Sequence, residues 1–241
     1  MSELELAGLK VHLNRTALGR EDRMRSAVVL LHGFGAPGTD LVSLAEVLSV
    51  PEGTGIFFPE GPIDLGQLLG PQYFSARAWW LIDMVKLQVA MMTGQLDRAA
   101  QNLANGLDAA RERIRQLLDE LQARFQLEAS RIILGGFSQG AIAALDVALQ
   151  DSRKFAGLLL MSATMVDPVA LSSLAPGRAG THALLSHGLS DPILPYKVAE
   201  GLHEQLNRAG WDMTWVPFPG GHGIPSDVIG AASKLIPAWL K

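Results

Sequence analysis

A serine stands between glycines in the stretch "GGFSQG", residues 135–140, directly after the apolar run 131–134. The pattern matches G-x-S-x-G, a nucleophile elbow in which a sharp turn between a strand and a helix exposes a serine hydroxyl above a sheet. Glycines on both sides let the two backbones approach, and the helix N-terminus favours negative charge at that point. The pattern therefore predicts that Ser138 is a nucleophile, with a plain glycine-rich turn as the alternative.

Two later loops contain the groups that such a serine needs. A serine hydroxyl becomes reactive when a base takes its proton and a third group orients that base. In folds with this elbow the chain order is serine, acid, histidine. Asp191 lies in "HGLSDPILP" after the apolar run 181–186, and His222 lies in "FPGGHGIP" after the run 213–218. We expect His222 to act as general base and then acid, and Asp191 to fix its tautomer.

Other polar residues near strand ends are alternatives. Asp167 follows an earlier apolar run and is a rival carboxylate, whereas Asp146, inside the helix after the elbow, is expected to be solvated or locally paired. The acid must reach the ring of the base, and its loop position favours Asp191. His32 and His187 also lie at strand ends, where we expect structural histidines bonded to nearby backbone.

Backbone N–H groups must also stabilise the negative oxygen that forms during acyl transfer. One predicted donor is the N–H of Gln139, the residue after the nucleophile, and the other is the N–H of Phe34 in the loop "LLHGFGAPG". Loss of one such donor costs about 2.7–4 kcal/mol of barrier. The loop lacks the lysine of a P-loop and the G-x-G-x-x-G spacing, which disfavours a phosphate-binding turn.

Short apolar runs that end in glycine, proline or polar loops must position these groups. They are residues 27–31, 55–58, 131–134, 157–161, 181–186 and 213–218. Between them, helical periodicity predicts one long amphipathic helix over 99–125 and shorter helices over 139–149, 198–206 and 228–239. The alternation predicts an α/β fold, a doubly wound, mostly parallel sheet with helices on both faces, in a single domain over 1–241.

Residues 61–94 follow no clean strand period and contain the adjacent Trp79 and Trp80. Long connections in compact domains are commonly lids or binding loops, so we expect a lid or substrate-binding excursion here. A helical excursion packed on the core is the alternative. Trp79 and Trp80, together with Ile193 and Leu194, are predicted to shape an apolar acyl pocket.

Composition excludes several other functions. The net charge is −4 with no lysine or arginine cluster, which argues against nucleic-acid binding. There is no cysteine, which excludes thiol nucleophiles and thiolate metal sites. No apolar run approaches the ~20 residues that span a bilayer, and no signal-peptide pattern opens the chain. We therefore expect a soluble, cytoplasmic protein without stable membrane insertion; the sequence does not indicate its oligomeric state.

Taken together, "LLHGFG", "GGFSQG", "HGLSDPILP" and "GGHGIP" resemble the carboxylesterase / acyl-protein thioesterase family of α/β hydrolases, also labelled phospholipase/carboxylesterase. The resemblance implies an α/β-hydrolase fold and the same triad and oxyanion donors. It also implies hydrolysis of carboxylic esters or thioesters with an apolar acyl group, without metal or cofactor. Departures lie in the first loop, at Ala141 in place of a glycine, and at "ARAWWLID" in place of the family's "WFD" segment.

Two other functions fit the same residues. A serine peptidase or amidase would use the same triad, but the chain has no acidic or basic cluster to anchor a peptide. A non-catalytic module that binds an acyl ligand could retain the fold, but an intact triad disfavours it. Turnover of short p-nitrophenyl esters by wild type, abolished in Ser138→Ala, distinguishes an enzyme from the binding module.

Overall fold

The predicted apolar runs form the centre of one eight-stranded sheet. The computed structural model describes residues 1–15 and 23–241, with the backbone alone at 91, 92, 96 and 97. The strands are β1 (Ser2–Leu6), β2 (Leu9–Asn14), β3 (Ser26–Leu31), β4 (Thr54–Pro59), β5 (Ile63–Asp64), β6 (Arg77–Ala78), β7 (Ile132–Phe137), β8 (Gly157–Met161), β9 (His182–Gly188) and β10 (Asp212–Phe218). The sheet order is β1-β2-β4-β3-β7-β8-β9-β10, and β5 pairs separately with β6.

Six neighbouring strands of the sheet run parallel: β4, β3, β7, β8, β9 and β10. The N-terminal β2 pairs antiparallel with β4, and β1 pairs antiparallel with β2. The predicted fold class, a mostly parallel sheet between helices, is confirmed. The hairpin β1–β2 was not predicted. Its two-residue turn, Ala7 and Gly8, has φ of 51° and 71°, which matches the turn that joins twisted antiparallel strands.

Helices cover both faces of the sheet. They are α1 (Leu65–Leu69), α2 (Met84–Met92), α3 (Leu96–Ala104), α4 (Leu107–Phe125), α5 (Gln139–Gln150), α6 (Pro168–Leu174), α7 (Tyr196–Arg208) and α8 (Ser226–Trp239). Along β3, Val29 packs in the core on the side of α4 and α5, whereas Val28 packs in the core on the side of α8. Because both faces are buried, the parallel strands have continuous apolar sequences rather than alternating ones.

The long helix predicted over 99–125 is wrong: two helices, α3 and α4, occupy this stretch, separated at Asn105 and Gly106. The apolar period continues across the break because Leu103 and Leu107 are both buried. Gly106 has φ +102°, and a Cβ there would lie 3.0 Å from Cβ of Trp80. A glycine is therefore required by both the backbone conformation and the close approach of the tryptophan.

Residues 61–94 form an ordered excursion at the carboxyl edge of the sheet. It comprises the β5–β6 pair, the short helix α1 between them, and helix α2. Its role as a lid stays a prediction, as does the single domain over 1–241. No helix among residues 1–15 and 23–241 combines the length and apolarity needed to cross a membrane.

Candidate active site

Ser138 occupies the sharp turn between β7 and α5. Its backbone has φ 52° and ψ −116°, a strained conformation for a residue with a side chain. Its N–H donates to the carbonyl of Met161 at 2.8 Å, and its carbonyl accepts from the N–H of Ile142 at 3.0 Å. Strand β8 and the first turn of α5 thus hold the serine at the end of the sheet.

The glycines of the elbow are needed because β3 ends against it. A Cβ on Gly136 would lie 2.3 Å from the carbonyl oxygen of Leu31, and one on Gly140 would lie 2.0 Å from the same atom. The loop after β3 also reaches the nucleophile, since a Cβ on Gly33 would lie 3.5 Å from Cβ of Ser138. The sequence pattern around Ser138 therefore reflects close backbone packing.

Asp191 and His222 meet although they lie 31 positions apart. His222 Nδ1–H donates to Asp191 Oδ2 at 2.7 Å. The other carboxylate oxygen, Oδ1, accepts from the N–H groups of Ile193 at 2.8 Å and Leu194 at 2.9 Å. Because an ionised carboxylate only accepts hydrogen bonds, this arrangement places the His222 proton on Nδ1 and leaves Nε2 free to accept one.

The surroundings of Asp191 favour its ionised form. Burial raises the pKa of this carboxyl, but the hydrogen bond from His222 and those from the backbone of Leu194 and Ile193 more than offset it. The net effect is a pKa below the ordinary value. Asp191 is therefore ionised at neutral pH and can orient the imidazole and stabilise its charged form.

Ser138 and His222 both line a cavity of about 120 Å³, together with Phe34 and Gln139. Apolar side chains complete the wall: Ile82, Met84, Leu87, Leu103, Phe137, Ile142, Ile193 and Leu194. No hydrogen bond joins Ser138 to His222 within the described residues; such contacts are commonly long in unliganded sites and shorten when substrate binds. Asp191 lies behind the histidine, with its side chain fully buried.

The predicted oxyanion donors, Phe34 and Gln139, both border this cavity. Neither backbone N–H donates a hydrogen bond to another residue in the described part of the chain. Gln139 is the first residue of α5, where backbone N–H groups have no partner within the helix. Two main-chain donors are thus available beside the serine.

The prediction that Trp79 and Trp80 line the pocket needs correction, whereas Ile193 and Leu194 do line it. Both tryptophans are 2% exposed. Their indole N–H groups donate to buried carbonyls, Trp79 to His32 at 3.0 Å and Trp80 to Leu103 at 2.8 Å. A buried indole N–H needs such an acceptor, which draws both rings into the core.

Sequence reasoning missed several wall residues. Ile142 lies four residues after Ser138 on α5, so helical spacing could have indicated it. Ile82 and Leu87 lie within the predicted excursion 61–94, but no local signal singled them out, because their positions depend on the path of the excursion.

The alternative carboxylates have other roles. Asp167 caps the N-terminus of α6, where its side chain accepts from the N–H of Ala170 at 2.9 Å. Asp146 accepts two hydrogen bonds from Arg111, at 2.6 and 3.1 Å. Neither contacts His222. Asp146 is therefore paired, but with an arginine on α4 that lies 35 positions away and not with a residue of its own helix.

His187 is a buried histidine that bonds to backbone, as predicted. Its Nε2 lies 2.8 Å from the carbonyl of Leu194 and 3.3 Å from Asp191 Oδ2. It therefore packs beside the candidate acid without facing the serine cavity. Among the described residues, no group of three or more histidine, aspartate or glutamate side chains is placed to hold a metal ion.

A larger open groove of about 810 Å³ runs between α2 and α3. Its described lining includes Val85, Lys86, Val89, Arg98 and Gln101, with no serine, histidine or carboxylate. Groove size alone does not make an active site, because nucleophilic chemistry requires a nucleophile beside a base. The smaller cavity at Ser138 is the candidate active site.

The parallel sheet, the serine elbow, and the acid and histidine on later loops define an α/β hydrolase. Residues 17–240 match the Phospholipase/Carboxylesterase family, and the chain belongs to this family. The resemblance found in the sequence is confirmed.

Individual relatives agree with this assignment. Acyl-protein thioesterase 1 of Neurospora crassa is 30% identical over 114 residues, so the chain matches 46% of that relative's length, about half. Acyl-protein thioesterase 1 of Emericella nidulans is 24% identical over 192 residues, 77% of each chain. The crystal structure of esterase PE8 superposes with a TM-score of 0.78 at 26% identity, over 95% of this chain and 97% of the other.

Proposed function

We propose that the protein is a serine hydrolase that cleaves carboxylic esters or thioesters through an acyl-enzyme intermediate. The observation that carries the proposal is the shared cavity of Ser138 and His222, with Asp191 bonded to the far side of the imidazole at 2.7 Å. The names of the relatives, esterase and acyl-protein thioesterase, support the same reaction class.

In the first half of the reaction, His222 Nε2 takes the proton of Ser138 as the serine oxygen attacks the substrate carbonyl. The carbonyl oxygen becomes negative and accepts hydrogen bonds from the N–H groups of Phe34 and Gln139. The bond to the leaving group then breaks, and His222 gives its proton to the departing alcohol or thiol. Asp191 stabilises the imidazolium while it exists.

In the second half, water replaces the leaving group. His222 removes a proton from this water, which attacks the acyl carbonyl, and the same N–H pair stabilises the second oxyanion. The ester bond to Ser138 breaks, the serine recovers its proton from His222, and the carboxylic acid leaves. Ser138, His222, Asp191 and the two backbone donors thus supply every group that this cycle uses.

The cavity supports a substrate with an apolar acyl group. Its volume of about 120 Å³ is small beside the roughly 300–1,000 Å³ of ligand pockets in general, which favours a short acyl group. Residues 61–94 supply Ile82, Met84 and Leu87 to the wall, which supports a substrate-binding role for the excursion. We propose short acyl esters or thioesters as the substrate class.

A fluorophosphonate probe tests the nucleophile directly. We expect one adduct at Ser138, and hydrolysis of p-nitrophenyl esters that Ser138→Ala abolishes. Ser162→Ala is a matched control, because Ser162 also directly follows a parallel strand and has positive φ (54°) but is fully buried. Labelling at another residue, or ester turnover that survives in Ser138→Ala, contradicts the proposal.

A panel of esters from acetate to palmitate measures the preferred chain length. Anilides of the same acyl groups test the amidase alternative. An optimum beyond eight carbons contradicts the short-chain part of the proposal. Faster cleavage of the anilides contradicts esterase activity. Binding of esters without turnover in folded wild type favours the non-catalytic module.

A further inference from the structure

Trp79 forms hydrogen bonds to two separate parts of the candidate active site. Its backbone N–H donates to Gln139 Oε1 at 3.0 Å, and its indole N–H donates to the carbonyl of His32 at 3.0 Å. The Gln139 amide completes a pair of bonds by donating from Nε2 to the carbonyl of Trp80 at 2.8 Å. Gln139 and His32 are each 1% exposed, so this network is shielded from water.

The segment after β3 is fixed from a second side by the His32 ring. Nε2 accepts from the N–H of Gly61 at 2.9 Å, so the ring proton is on Nδ1, which donates to the carbonyl of Gly33 at 2.8 Å. Burial lowers the pKa of His32, which keeps the ring in this neutral form. His32 thus holds the residue that precedes Phe34.

The residues after Phe34 are fixed by the excursion. The N–H of Gly35 donates to the carbonyl of Arg77 at 2.9 Å, and the N–H of Arg77 donates to the carbonyl of Ala36 at 2.9 Å. Phe34 therefore lies between anchored neighbours, and its own N–H donates to none of the residues that the structure describes. Trp79 follows Arg77 by two residues and connects this anchored loop to α5.

We propose that Trp79 is a positioning residue for the oxyanion hole. Its two hydrogen bonds connect the loop after β3, which contains the Phe34 N–H, to the N-terminus of α5, which contains the Gln139 N–H. They thereby set the distance between the two donors. The proposal rests on the proposed function, because an oxyanion hole contributes to catalysis only where acyl transfer takes place. The side chain of Gln139 and the indole of Trp79 form the link.

The spacing of the donors matters because they must match the oxyanion of the transition state more closely than the ground-state carbonyl. A misplacement of about 1 Å can cost roughly a hundredfold in rate. Without the indole N–H, the carbonyl of His32 loses a buried partner and the loop after β3 loses its direct bond to the tryptophan. The expected defect is in turnover rather than in substrate binding.

Trp79→Phe tests the proposal, with Trp211→Phe as the matched control. Each change removes one buried indole N–H and keeps an aromatic ring, but the Trp211 indole donates to the carbonyl of Ala175 at 2.9 Å, and neither of these residues lines the serine cavity. For Trp79→Phe we expect kcat on a short p-nitrophenyl ester to fall about ten- to a hundredfold, with KM within about threefold. Trp211→Phe should keep kcat within about threefold of wild type.

A trifluoromethyl ketone gives a second readout, since its adduct with a serine holds an oxyanion. Its affinity should fall in Trp79→Phe by the same factor as kcat, and stay unchanged in Trp211→Phe. Gln139→Met removes the other end of the link but keeps the backbone donor. It should reproduce the kcat loss, which tests the proposal even where Trp79→Phe fails to fold.

Wild-type kcat in folded Trp79→Phe overturns the proposal, as does an equal loss in both tryptophan variants. A folded Gln139→Met variant with wild-type kcat and inhibitor affinity also overturns it. These results differ from failure of the proposed function, in which wild type itself hydrolyses no ester and binds no ketone; that result overturns both.

Discussion

Replacement of Asp191 by asparagine tests the geometry of the candidate triad with little change in shape. The native carboxylate accepts three hydrogen bonds, from His222 at 2.7 Å, Ile193 at 2.8 Å and Leu194 at 2.9 Å. Asparagine offers one oxygen and one NH₂ group. If its oxygen keeps the two backbone bonds, the NH₂ group faces the imidazole and requires an unprotonated Nδ1. The ring proton then moves to Nε2, where it blocks proton transfer from Ser138.

The expected loss follows from this change of tautomer. In serine triads the same substitution lowers kcat by about 10⁴, and at about 1.36 kcal/mol per tenfold this is about 5 kcal/mol of barrier. Shape is retained and the backbone bonds can persist, so binding of substrate should change far less than turnover. The loss should therefore appear in kcat, with KM within about tenfold of wild type.

Steady-state hydrolysis of p-nitrophenyl butyrate measures both parameters. Asp167→Asn is the matched control: it makes the same chemical change at the rival carboxylate, which caps α6, and asparagine caps helices as well as aspartate does. We expect this control to retain wild-type kcat. A kcat for Asp191→Asn within about tenfold of wild type refutes the reasoning, as does a large loss in Asp167→Asn.

Three further predictions follow from the same structure. The pKa of Asp191 is lower in the folded protein than its ordinary 3.8, so wild type should lose more free energy of unfolding than Asp191→Asn as the pH falls through and below that value; urea unfolding measures this. Gly140→Ala should prevent folding or lower the free energy of unfolding by at least about 3 kcal/mol, because its Cβ would lie 2.0 Å from the Leu31 carbonyl oxygen. In the control Gly201→Ala, on α7, the new Cβ meets no atom within 4 Å, so the free energy of unfolding should rise by about 0.5–1 kcal/mol; thermal unfolding measures both. Ile142→Ala should shift the ester panel toward longer chains, because Ile142 borders both the serine cavity and a small apolar cavity beside it, at a stability cost of about 2–5 kcal/mol.

Each of these has an outcome that contradicts it. If the free energy of unfolding falls equally with pH in wild type and Asp191→Asn, folding does not lower the pKa of Asp191. A stable Gly140→Ala protein means that β3 and the elbow are farther apart than described. An unchanged chain-length optimum in folded Ile142→Ala means that this side chain does not limit the acyl pocket.

The sequence predicted the parallel strands and the order of the site residues because local requirements determine both. Strands buried on both faces must be apolar throughout, and a serine in a strained turn needs small neighbours such as Gly136 and Gly140. The helix break at Gly106 was missed because a tertiary contact, and not a local requirement, determines it. The apolar period of α3 continues into α4, so a local pattern could not reveal that Trp80 packs against the backbone there.

Tertiary structure alone decided which distant groups meet. Asp191 contacts His222 across 31 positions, and Gln139 contacts the backbone of Trp79 across 60. The order of residues indicated the first pair, but the second had no sequence signal, and the tryptophans were expected to face the substrate. Periodicity reports which side of an element is buried, whereas the partner of a buried hydrogen-bonding group depends on how several elements pack together.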